Sequence, residues 1–124
     1  MERIDTTDAP PPRGHYSQAI VHNGLVFVSG QLPIDGDGEI MNRAPAADQA
    51  RAVMLNIEKI LQAAGSGLDR LLQVTIYVTD IDFWPEVNQA YIEVMGDSKP
   101  ARAVIPVREL HHGVVLEAQA IAAT

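Results

Sequence analysis

A chain of 124 residues, 47% hydrophobic and 20% charged, has the size and apolar content of one domain around one core. Its formal net charge of −7 opposes nonspecific binding to nucleic-acid phosphates, and the lack of cysteine excludes disulfides, thiol catalysis and thiolate metal sites. No apolar run approaches the roughly 20 residues of a membrane span, and the acidic, proline-containing N-terminus lacks a signal-peptide pattern, so a cytoplasmic protein with no membrane contact is expected.

Residues 1–14 read as an irregular N-terminal arm of a single domain spanning 1–124, because four of the last five are Pro or Gly. Arg3 to Thr6 leave room for a short edge strand. From Tyr16 to Ser29, two apolar-rich segments flank Asn23-Gly24, a pair that tolerates the positive φ angles of a type I′ turn. A β-hairpin is predicted there. Gly30 follows, where the backbone can bend or a ligand can approach closely. Asp35-Gly36-Asp37-Gly38 resembles part of a calcium loop but lacks the remaining ligands, so a plain turn is expected.

Pro45 to Ala64 carries the clearest helical stripe, with Ala50, Val53, Met54, Ile57, Ile60, Leu61 and Ala64 on one face. Asp48, Gln49, Arg51, Glu58 and Lys59 fall on the wet face, and Gly65 is a natural stop. Arg70 to Thr79 predicts a long strand, with Leu72, Val74, Ile76 and Val78 on one side and the mixed set Leu71, Gln73, Thr75, Tyr77 and Thr79 on the other. Asp80 or Asp82 caps a second helix that runs to Met95, with Trp84, Val87, Tyr91, Val94 and Met95 as its apolar stripe. Two further strands lie between Lys99 and Ala122. Two amphipathic helices on one face of a mixed sheet make an α+β two-layer sandwich. The other sheet face keeps many apolar residues that 124 residues cannot cover alone, so burial by oligomerisation is expected.

Two charges stand in apolar company in those last strands. Arg102 presents a planar fork that matches a carboxylate with paired hydrogen bonds; the alternative is an ordinary ion pair with Glu117 or Glu109. Glu117 is flanked by Val, Leu, Ala and Ile, where a raised pKa suits a general acid or base; the alternative is a solvated strand position beside Gln119. Tyr16, Ser29 and Asn88 either line a pocket or are plain strand-end and helix-surface residues. His111 and His112 are adjacent, which is the wrong spacing for a helical metal pair, so no metal site is expected. There is no glycine-rich phosphate loop and no G-x-S-x-G elbow.

The segments GHYSQAI, VFVSGQLPID, QARAVMLNIEKILQAAG, VTIYVTDI and VNQAYIEVM, and above all PARAVIPV with LEAQAIA, resemble the YjgF/YER057c/UK114 family, the Rid family of enamine/imine deaminases. The resemblance covers nearly the whole chain. It implies a chorismate-mutase-like fold assembled as a homotrimer, with the sheets packed inward as a barrel and three clefts between subunits. It implies that Arg102 holds a substrate carboxylate, that Glu117 positions and activates water, and that Tyr16, Ser29 and Asn88 line the cleft. The implied reaction is hydrolysis of a small 2-enamino or 2-imino acid to a 2-oxo acid and ammonia, with no metal or organic cofactor. Val104 stands where many members have cysteine, leaving only its backbone to touch substrate. His15 replaces a common proline, and the segment between Tyr91 and Arg102 is short. A specialised aminomuconate-type deaminase is the alternative reading. Ribonuclease-type and chaperone-like members are further alternatives. The deaminase reading requires Arg102 and Glu117 to face one cavity.

Overall fold

In the computed structural model, which describes residues 1–124, the strands are β1 (Glu2–Ile4), β2 (Ala19–His22), β3 (Leu25–Gln31), β4 (Leu71–Val78), β5 (Ala101–Pro106) and β6 (Leu116–Ala123). The helices are α1 (Ala46–Ala63) and α2 (Trp84–Met95). One six-stranded sheet runs in the order β1-β2-β3-β6-β4-β5. The β4–β5 pair is parallel, joined by the α2 crossover, and every other pair is antiparallel. α1 packs on β3 and β6, and α2 packs on α1. This is the chorismate-mutase-like α+β sandwich expected from the sequence.

Local chemistry accounts for the elements. Asn23 and Gly24 both take positive φ, 51° and 77°, and close the β2–β3 hairpin. Asp80 accepts from the Asp82 amide at 2.9 Å, capping a short 3-10 turn that leads into α2. The Glu86 carboxylate on α2 accepts from the Ala47 amide at 3.0 Å, so one helix supplies the N-terminal acceptor of the other. The DGDG segment is a turn in which Asp35 accepts from the amides of Asp37 and Glu39 at 2.9 and 3.0 Å.

The core lies between the sheet and the helices. Val26, Val28, Val74, Ile76, Val78 and Leu116 are buried there, and the small Ala118, Ala120 and Ala122 let α1 sit close to β6. The register sets the composition of the opposite face: Ile20, Phe27 and Ile121 align, as do Thr75 with Ala103 and Gln119, and Tyr77 with Ile105 and Glu117. No helix covers this face, and Phe27 and Ile105 are exposed.

Two sequence expectations are corrected. Leu72 does not join the core face of β4. The ladder to β6 steps from Leu71↔Ala122 to Gln73↔Ile121, so Leu72 is the extra residue of a bulge. Leu71 takes the inward place at 7% exposure while Leu72 is 47% exposed. Gln49 is not on the wet face either; it is 1% exposed. Its amide donates to the Ala44 carbonyl and its carbonyl accepts from the Val115 amide, both at 3.0 Å. The side chain is buried because it satisfies two loop backbone groups that the sequence pattern does not show.

The N-terminal arm is held by another buried amide. Gln18 donates to the carbonyls of Thr6 and Pro10, both at 3.0 Å, and accepts from the Thr6 amide at 2.7 Å. Ile4 and Ala9 thereby join the core. No helix is long and apolar enough to cross a membrane.

Candidate functional site

Arg102 lies on β5, one of the two edge strands, opposite Val74. Val74 points into the core, so the Arg102 side chain is on the helix face of the sheet. It reaches α2, where its Nη1 donates to Asn88 Oδ1 at 3.0 Å. Its guanidinium carbon is 4.7 Å from the Trp84 ring centroid and 4.9 Å from that of Tyr91. No ion pair to Glu117 or Glu109 forms. Val104, two residues further along β5, is half-buried on the same face and packs against the core.

Glu117 lies on β6 opposite Tyr77, on the uncovered face. Burial pushes its carboxyl above the usual carboxylate range, and His111 acts against that shift. Its carboxylate rests against Gly30: a Cβ added there would collide with Glu117 Oε1. Ser29, beside Gly30, donates from Oγ to the Ser17 carbonyl at 2.6 Å and borders a groove on the uncovered face with Phe27, Thr75 and Gln119. Tyr16 is exposed, its hydroxyl accepting from the Arg13 amide at 3.4 Å, and it lines a cavity with Gly30, Gln31, His111 and His112.

The six candidate residues therefore fall into two sets. Ser29 and Glu117 adjoin Gly30 on the uncovered face, and Tyr16 lines a cavity that Gly30 also borders. Asn88, Arg102 and Val104 gather at α2 and the β5 edge on the other face. Within one chain Arg102 and Glu117 do not share a cavity. Their positions differ by three residues along the strands and by two strands across, roughly 14 Å from strand spacing, with opposite orientation. The expectation of a common cavity holds for no single chain. One set carries a cationic guanidinium fork and the other a carboxyl whose pKa burial raises. A site that used both Arg102 and Glu117 would need two copies of the chain.

Sequence reading places Trp84 and Tyr91 in an apolar stripe and does not show that both rings lie against Arg102. The available signal was their spacing: Trp84, Asn88 and Tyr91 stand at i, i+4 and i+7, on one helix face. His111 reads as a loop residue, and no periodicity shows that it lies near Glu117.

This architecture is that of a two-layer α+β domain with one sheet face left open. The endoribonuclease L-PSP family model matches residues 6–124, and the chain belongs to that family, also known as YjgF/YER057c/UK114. A RutC family protein of Pyrococcus horikoshii is 43% identical over 122 residues, covering 98% of this chain and 96% of the relative. A Thermotoga maritima structure described as a putative endoribonuclease superposes with a TM-score of 0.95 at 36% identity, covering 100% of this chain and 98% of the other. The E. coli TdcF structure with bound serine has a TM-score of 0.94 at 32% identity, covering 100% and 99%.

Proposed function

We propose that this protein hydrolyses reactive 2-imino acids, and the 2-enamino acids from which they form, to 2-oxo acids and ammonia in the cytoplasm, in clefts between the subunits of a homotrimer. The division of the candidate residues between the two sheet faces carries this reading, because the uncovered face holding Glu117 is the surface available to a second copy. One copy supplies Arg102, Asn88 and the Val104 backbone. The next supplies Glu117, Tyr16 and Ser29. TdcF binding serine supports a small amino-acid-like ligand for a fold of this kind.

The chemistry follows from those groups. Arg102 pairs with the substrate carboxylate and so fixes the imine carbon in place. Glu117 in its ionised form takes a proton from water as the oxygen bonds to that carbon. That proton passes to the imine nitrogen, giving a neutral carbinolamine, whose C–N bond breaks as Glu117 carries the hydroxyl proton to the nitrogen and the C=O forms. The balance is one imino acid and one water giving one 2-oxo acid and one ammonia. No external oxidant or reductant enters. A carboxyl raised by burial is suited to both transfers near neutral pH.

The test is ammonia and 2-oxo-acid release from imino acids generated in situ by an amino-acid oxidase. Activity in the wild type, lost in Arg102→Ala and in Glu117→Ala with the oligomer intact, is the expected result. A wild type inactive on both small and large imino acids refutes the reading. RNA cleavage or chaperone activity that persists in Arg102→Ala supports the family's other descriptions instead. The net charge of −7 already weighs against an RNA-binding surface.

A further inference from the structure

Arg102 is held by more than its own strand. A guanidinium presents five N–H donors in one plane, and a flexible side chain at a sheet edge loses rotamer freedom whenever it binds. Here three side chains from one face of α2 converge on it. Asn88 takes one Nη1 hydrogen at 3.0 Å, and the Trp84 and Tyr91 rings stand 4.7 and 4.9 Å from its central carbon. Both distances are within the roughly 6 Å reach of cation–π attraction. Tyr91 is only 6% exposed, so its ring is fixed by the core. Trp84 is partly buried against the same core. Asn88 is the one acceptor the guanidinium meets with good hydrogen-bond geometry, the Tyr91 hydroxyl lies close enough to feel its charge, and Arg102, Asn88 and Tyr91 border one open cavity with Ser98 and Lys99. The Tyr91 hydroxyl is the one buried side-chain polar atom without a hydrogen-bond partner. Asn88 alone would leave the guanidinium plane free to swing about a single hydrogen bond.

We infer that Trp84 and Tyr91 are positioning residues, an aromatic clamp that with Asn88 holds the Arg102 guanidinium as a preformed carboxylate receptor. The inference rests on reading Arg102 as the carboxylate anchor, and not on the hydrolytic chemistry. Preorganisation lowers the ordering entropy of binding, so loss of the clamp weakens carboxylate affinity without altering the charge.

The experiment measures binding of 2-oxobutanoate to the intact assembly by calorimetry, alongside turnover of imino acids. Arg102→Leu abolishes binding. Trp84→Leu keeps the apolar burial but loses the π face, and weakens binding about fivefold. Trp84→Phe restores affinity to within twofold of the wild type. Tyr91→Phe, which keeps the ring and removes a hydroxyl that has no partner, also stays within twofold. In turnover, Trp84→Leu raises KM by the same factor and leaves kcat nearly unchanged. A second readout needs no variant of the clamp: the ring currents shift the Arg102 Nε–H proton resonance, and the emission of Trp84, the only tryptophan, changes in Arg102→Leu without any ligand.

Wild-type affinity in Trp84→Leu, an unshifted Arg102 resonance, or no binding by the wild type overturns the clamp. A loss in Tyr91→Phe as large as in Arg102→Leu assigns the contact to the hydroxyl and overturns the ring as the holding group. Binding with the expected pattern but no turnover retires the deaminase chemistry and leaves the clamp standing. Turnover that needs Arg102 but ignores Trp84 does the opposite.

Discussion

Arg102 and Glu117 stand on opposite faces of the sheet, Arg102 in register with Val74 and Glu117 with Tyr77. A site built from both must take them from different chains. That geometry makes a sharp expectation for mixed assemblies. Arg102→Ala and Glu117→Ala are each inactive alone. When equal amounts are dissociated together and reassembled, random pairing leaves about a quarter of the clefts with one intact arginine and one intact glutamate. Activity near a quarter of the wild-type value is expected from the mixture, measured as ammonia release. No recovery, with mixed assembly verified by mass spectrometry, would falsify the shared cleft.

Glu117 links that site to pH. Burial raises its folded-state pKa above that of the unfolded chain, with His111 opposing. The folded protein therefore binds the proton more tightly than the unfolded chain does. The stability associated with this group is fully present below the ordinary carboxylate pKa and is lost as pH rises through the raised value. Glu117→Gln cannot ionise. Its Tm relative to the wild type is thus expected to improve from acid to neutral pH. The catalytic consequence has the opposite direction, since the ionised base is needed: kcat/KM falls as pH drops through a pKa above the usual carboxylate range. A wild-type acid limb at the ordinary glutamate pKa, or a Tm difference independent of pH, contradicts the assignment.

Much of this was legible in the sequence, and the failures have identifiable causes. The Asn23-Gly24 hairpin, the α1 stripe and the order of elements follow from turn chemistry and periodicity. Arg102 and Glu117 are conspicuous as charges within apolar strands. Their opposite orientation is not, because it depends on how β4 registers with both β5 and β6. Leu72 was misplaced for a related reason: a bulge inserts one residue, and strict alternation then assigns the wrong partner to the core. Gln49 was assigned to water by polarity alone, although its two hydrogen bonds reach backbone groups as distant as Val115. Trp84 and Tyr91 were correctly placed on a helix face, but an apolar stripe does not reveal that a cation lies against it.

Gly30 gives a direct test of the role proposed for Glu117. Its backbone does not take the positive φ of the turn glycines, so alanine is tolerated conformationally. The obstacle is Glu117, whose Oε1 occupies the space of the new Cβ, with Cδ at 3.2 Å and Cγ at 3.5 Å. Gly30→Ala must therefore push the carboxylate aside. A displacement of about 1 Å at a reacting group lowers rates on the order of 10²-fold, so kcat is expected to drop by that scale while the circular dichroism spectrum is retained. Full activity in a folded Gly30→Ala variant would show that the carboxylate position against Gly30 is not the reactive one.

Gln49 tests how the scaffold supports the same carboxylate. It ties the Ala44 carbonyl before α1 to the Val115 amide, two residues ahead of Glu117, through hydrogen bonds of 3.0 Å each. Gln49→Leu preserves most of the volume and removes both bonds. It orphans one carbonyl and one amide on half-buried residues. An unsatisfied buried polar group costs about 1–3 kcal/mol, so a loss on the order of 3 kcal/mol is expected for the pair. Urea unfolding should show a lower midpoint with an unchanged slope, with protomer concentration held fixed because assembly contributes to apparent stability. Since β6 begins at Leu116, release of Val115 also loosens the strand that carries Glu117. The variant should then lose kcat in addition to stability, whereas a substitution on the exposed side of α1 such as Lys59→Ala should affect neither. A Gln49→Leu protein as stable as the wild type would mean that the Ala44 and Val115 groups find other partners.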